Sequence, residues 1–279
     1  MTEQEARELL EGIAAADWAV PAGARPAQVI TDVTPFLAST DPHLRDDLVL
    51  AALGTWVYER DLLDDRELGE LLDHVLEGGL LTRGIGAKRS DTVFGRTFAM
   101  LAIGLVLLCD NRRPFLTEES WCGVVGRLVD YCHRERDFRG FVPGKGAAHA
   151  PAHAADALDE VVRGRYASSQ NCTIVLDCVA SLVTRCDHVF DRDEDLRLAV
   201  PLAAMINAGK VPATAVCECM EAHLPAADDF SPAQAVVRSN WRQVLRSLYF
   251  QLLHEEGDGC AALPELADAD VRLGRSTIR

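Results

Sequence analysis

Apolar residues recur along this chain at three- and four-residue spacing and never in sustained alternation, so the predicted elements are helices and no strand is expected. Leu9, Leu10 and Ile13 mark a first helix over 2–16. Pro21 to Pro26 breaks the chain, and Val29, Val33 and Leu37 give a short helix ending near Ser39. Asp41-Pro42 opens the next one, because an Asp can cap free backbone N–H groups and a proline is tolerated in the first turn. That helix runs through Leu48, Ala51, Ala52 and Trp56 to about Arg60. Asp64-Asp-Arg-Glu67 is a capping box for a helix that ends at Gly78-Gly79. Ser90 or Asp91 caps a helix to Cys109 that is apolar nearly all round, which predicts a central position. Thr117-Glu-Glu-Ser starts a helix through Val125, Leu128 and Tyr131. A loop follows, then a helix to about Arg163 and four more over roughly 170–189, 192–208, 212–223 and 231–255.

Helices of this length joined by short loops predict an all-α fold, a superhelical array of antiparallel helical hairpins of the HEAT or armadillo kind. The expected organisation is a single domain over 1–279, with N-terminal helices over 1–40, a helical-repeat core over 41–256 and a weak helix or tail over 257–279. A net charge of −15 argues against a nucleic-acid surface, which needs a basic patch. The chain opens on an acidic amphipathic helix instead of a basic, apolar leader. Its longest apolar run, Met100 to Cys109, is short of the ~20 residues that span a bilayer. A cytoplasmic protein without membrane contact is therefore expected. Nine cysteines then read as buried thiols, and Cys217-Glu-Cys219 lacks the two-residue gap of a metal knuckle or redox motif.

Chemistry concentrates between Asp137 and Glu160. A loop with three glycines carries Asp137, Arg139 and Lys145, then feeds a helix bearing His149, His153, Asp156 and Glu160. At about 100° per residue these last four fall within roughly 60° of one another. Pro151 confines the helix start to between about Ala147 and itself, leaving His149 at the first turn or just ahead of it. The positive end of the helix dipole favours a neutral imidazole there, and the free N–H groups beside Lys145 would attract an anion. Arg96 sits within the apolar helix, where an unpaired guanidinium is costly, so it needs an anionic ligand or a carboxylate such as Asp137 or Asp156.

Three segments carry a family resemblance: Asp41-Pro-His-Leu-Arg-Asp-Asp-Leu-Val-Leu, Ser90-Asp-Thr-Val-Phe-Gly-Arg-Thr-Phe98, and Arg139-Gly-Phe-Val-Pro-Gly-Lys-Gly-Ala-Ala-His-Ala-Pro-Ala-His-Ala-Ala-Asp156. The chain resembles the bacterial domain of unknown function 2785 family over roughly residues 35–250. The likeness implies a helical-repeat fold and no particular activity. Two positions depart from the pattern: Ala147 stands where an aromatic is common, and Pro151 replaces a residue that favours a helix.

The expected function is binding of a small anionic metabolite, with general acid–base chemistry on it. In that reading Arg96, Asp137, Arg139 and Lys145 form the binding pocket, with Lys145 and Arg139 holding the anion; of the catalytic set His149, His153 and Asp156, His149 moves the proton and Asp156 orients His153 or His149. No cofactor is expected. A divalent metal held by His149, His153 and Asp156 is the sharpest alternative, but Ala150 stands where a His-Glu-x-x-His metalloenzyme has its glutamate. A protein-interaction scaffold, partnering another protein or a second copy of itself, is the competing class.

Overall fold

The computed structural model describes residues 1–224, 231–254 and 258–275. It is almost entirely helical, with twelve α-helices among the described residues. α1 (Glu3–Ala15) and α2 (Pro26–Val33) lead through a 3-10 turn, Thr34–Ala38, into a continuous helical run over 43–59. Two π-helical stretches, His43–Leu50 and Gly54–Glu59, flank the short α3 (Ala51–Leu53) within that run. The sequence pattern predicts an ordinary helix there. The wider winding shows at the end, where the N–H of Arg60 reaches back five residues to the carbonyl of Thr55.

The next helices are α4 (Asp65–Glu77), α5 (Thr92–Arg112), α6 (Glu118–Arg134), α7 (Ala150–Arg163) and α8 (Ser169–Arg185). The chain ends through α9 (Glu194–Asn207), α10 (Ala213–Ala222), α11 (Pro232–His254) and α12 (Leu263–Arg275). Side-chain caps start two of them where the sequence places them, Asp64 in a full capping box and Thr117 alone, and Thr2 adds a full capping box at α1. Ser168 adds a capping box for α8. Pro201 lies inside α9, where its missing N–H would ordinarily stop a helix. The helix nevertheless continues through it, packed between α7 and α11.

The packing alternates. α5 packs on α7, α7 on α9 and α9 on α11, while α6 packs on α8, α8 on α10 and α10 on α12. α5 is long and apolar enough to cross a membrane, but most of it is buried inside the protein, as its all-round apolar pattern predicts. Gly104 of α5 permits the close approach of α7, since a methyl group there would stand 3.2 Å from Cα of Ala157. Contrary to the expectation of no strand, the loop before α7 forms a hairpin, β1 (Phe141–Val142) paired antiparallel with β2 (Gly146–Ala147). Two residues per strand are too few to show a period of two.

Candidate functional site

The loop from Glu135 to His149 is held from below by buried ion pairs. Arg96 is fully buried and gives Nε and Nη2 to the two carboxylate oxygens of Glu135 at 2.6 and 2.9 Å. Its Nη1 donates to the Arg83 carbonyl at 2.9 Å and to Thr92 Oγ1 at 2.8 Å. Glu135 Oε1 also accepts the backbone N–H groups of Arg136 and Asp137. The carboxylate that Arg96 requires is thus Glu135, not Asp137 or Asp156, and the guanidinium is spent on tying α5 to the end of α6. Asp137, buried beside it, takes Nε and Nη2 of Arg139, both at 2.7 Å, and the N–H of Ser90.

The hairpin is pinned by a residue the sequence does not single out. Arg45 is fully buried, with its guanidinium 4.3 Å from the Phe94 ring centre and 4.6 Å from that of Phe98. It donates to the carbonyls of Ser39 and Lys145 and forms an ion pair with Asp46. Gly146, at φ +82°, lies so close that a methyl group would meet Arg45 Nη2 at 2.9 Å. Lys145 itself points outward to Asp91 at 2.5 Å.

Above these anchors, three loops enclose a cleft of about 570 Å³. Lys88 and Arg89 come from the first, Arg136 to Pro143 from the second, and Asp187 to Arg192 from the third. Five cationic side chains line it, Lys88, Arg89, Arg136, Arg139 and Arg192, against three carboxylates, Asp137, Asp187 and Asp191. Arg139 is held by Asp137, Lys88 lies 3.4 Å from Asp187, and Arg192 lies 4.0 Å from Asp191. Arg89 and Arg136 have no acidic partner among the described residues. Phe141 contributes an exposed ring, with the Arg192 guanidinium 5.4 Å from its centre. Arg89, at φ +54°, adopts the left-handed conformation that few residues with side chains take.

The histidine face predicted for α7 divides among different neighbours. His149 caps the helix in a left-handed conformation (φ 48°, ψ 41°), its N–H bonded to the Arg139 carbonyl. Its Nε2 lies 3.7 Å from Oε1 of the buried Glu194. Burial pushes the imidazole's proton affinity down, Arg197 and Arg192 push the same way, and Glu194 opposes them. His153 is buried edge-on to Phe98, with ring centres 5.0 Å apart and Nδ1 without a hydrogen-bond partner. Burial, reinforced by the neighbouring His149, lowers its pKa to about 3, so it is neutral. Asp156 is engaged by Arg197, from Nε at 2.6 Å and also from Nη2. Glu160 accepts from Asn111 at 2.8 Å. Burial raises both carboxyls, against those partners.

His149, His153 and Asp156 therefore do not converge as metal ligands, and no group of three His, Cys, Asp or Glu side chains does so among the described residues. The structure brings Asp137 and Arg139 to the cleft, places His149 just behind it, and leaves Arg96, Lys145, His153 and Asp156 engaged elsewhere. Lys88, Arg89, Arg136, Arg192 and Glu194 carry no local signal. Arg136 stands in the loop itself, and the other four join the site only through folding, from segments on either side of it.

A family model described as "Protein of unknown function (DUF2785)" matches residues 81–250, more than half of the chain. No curated protein and no solved structure matches.

Proposed function

The chain belongs to that family, and from its site we propose that it binds a small anionic molecule in the cleft between the 88–89, 136–143 and 187–192 loops. One observation carries the reading. In a chain of net charge −15, five cations gather around one cleft, and Arg89 and Arg136 stand there with no carboxylate partner among the described residues. A compact anion satisfies both, because guanidinium groups form charge-assisted hydrogen bonds to carboxylate and phosphate oxygens. His149 lies behind the cleft wall at Gly140, partly exposed and with its proton affinity lowered by burial, and in this reading it is the group that exchanges a proton with the bound anion. The alternating helix packing supports reading the fold as a superhelical array of hairpins, with the cleft at one edge formed by interhelical loops.

Calorimetric titration with inorganic phosphate tests the reading. Saturable binding is expected, and the Arg89→Ala/Arg136→Ala double variant should bind at least about tenfold more weakly, the loss expected of one charge-assisted contact. Equal binding by the two proteins, or none by the unaltered one, would dismiss the cleft as the anion site.

A further inference from the structure

Glu194, the first residue of α9, is fully buried. Its Oε2 accepts the backbone N–H of Arg192 at 2.8 Å, which fixes the carboxylate. Its Oε1 has no hydrogen-bond partner and faces His149 Nε2 at 3.7 Å. A buried carboxylate oxygen with an unmet bond is costly, and such groups call for a reason. The chain also leaves room for it: a methyl group on Gly140, which lines the cleft, would come within 2.8 Å of Oε1 and 3.5 Å of His149 Cδ2.

His149 differs from Glu194 in being reachable, with 21% of its side chain exposed. An accessible imidazole backed by a buried carboxylate is the arrangement in which the acid sets the ring's tautomer and stabilises the ring when it gains a proton. A separation of 3.7 Å is longer than a hydrogen bond, but such contacts often tighten only when the substrate is bound. Asp156 does not fill this role, because Arg197 holds both its oxygens.

We propose that Glu194 is the positioning residue for His149, keeping the neutral ring protonated at Nε2 and leaving Nδ1 to accept a proton from the anion in the cleft. The inference rests on the anion-binding reading above. In the step, the bond between the substrate's donor atom and its proton breaks and the electron pair stays on that atom. An N–H bond forms at Nδ1, and the imidazolium charge lies against Glu194 until the ring returns the proton to the product. The substrate class follows: an anion with an acidic proton close to its charged group. Four other groups bear on His149. Arg192 of the loop before α9 and Arg197 of α9 oppose its protonation and Asp193 favours it, while His153 lies along α7 with ring centres 5.9 Å apart. Glu194 is the carboxylate that offsets the two arginines at contact range.

Ring nitrogen NMR on the full chain tests this, with the His149 signals assigned by their loss in His149→Ala. In the unaltered protein the neutral ring should carry its proton on Nε2, and a ring protonated mainly on Nδ1 overturns the proposal. Glu194→Gln keeps the volume and removes the charge, and it should lower the proton affinity of His149 by about tenfold or more. An unchanged titration overturns the proposal too. Should that variant not fold, the tautomer of the unaltered protein still decides. Phosphate titration of both proteins reads the cleft separately: no binding by the unaltered chain defeats the anion reading, while the ring spectra judge the pair.

Discussion

At Gly140 the backbone passes between the cleft and a buried carboxylate, and no side chain fits. A Cβ there would meet Glu194 Oε1 at 2.8 Å and Arg192 Cγ at 3.2 Å, and the carboxylate cannot yield because its other oxygen is fixed to the Arg192 N–H. Gly140→Ala should therefore cost about 1–3 kcal/mol, the usual range for overpacking. Urea unfolding measures it, and a variant as stable as the parent would mean that Glu194 is free to move. Much of this residue-scale detail is hidden from the sequence. Two histidines and two acids on one helix face are visible as a pattern, and so is the need of Arg96 for a counter-charge. The partners are not, because Arg96 meets Glu135 and His149 meets Glu194 across separations of 39 and 45 residues that no local periodicity encodes. Arg45 is harder still, since nothing in His43-Leu-Arg-Asp-Asp47 distinguishes a buried, ring-flanked arginine from a surface one.

Between elements, the Arg96–Glu135 pair fastens the first turns of α5 to the end of α6, with both side chains fully buried. Losing one partner strands a charge out of water, whereas replacing both with apolar residues removes the need for either. Glu135→Gln should destabilise the protein by about 3–5 kcal/mol, and Arg96→Met/Glu135→Leu should recover most of that loss. Thermal and denaturant unfolding of the three proteins checks it. A Glu135→Gln variant within about 1 kcal/mol of the parent would show the pair to be dispensable. Element positions were the most legible layer. Capping residues at Asp64 and Thr117 mark helix starts in the sequence as they do in the structure, because the cap is a local contact. The π-helical winding around α3 and the two-residue strands were not legible. For the hairpin the contact that matters is far off in the sequence: it lies where Arg45 binds the carbonyl of Lys145.

The whole molecule folds around the row α5, α7, α9, α11, and His153 is buried inside it. Its protonation is a property of the entire core, since the ring can take a proton only when that row opens. Burial holds the folded-state pKa near 3, against 6.5 for an exposed ring, so between those values the unfolded chain binds a proton that the folded protein does not. The sign follows: stability is unaffected by His153 above pH 6.5 and is lost progressively as pH falls toward 3. Across that window the cost is at most about 1.4 kcal/mol per pH unit. Asp156 and Glu160 act oppositely at the acid end, because their raised carboxyls bind protons more readily folded than unfolded. The His153 contribution is therefore read as a difference. His153→Leu keeps an apolar body against Phe98 and cannot be protonated, so its unfolding free energy should fall less steeply than the parent's between pH 6 and 4. Parallel curves would mean that the folded protein accommodates a charged His153, and with it that the centre of the helical row is open to water.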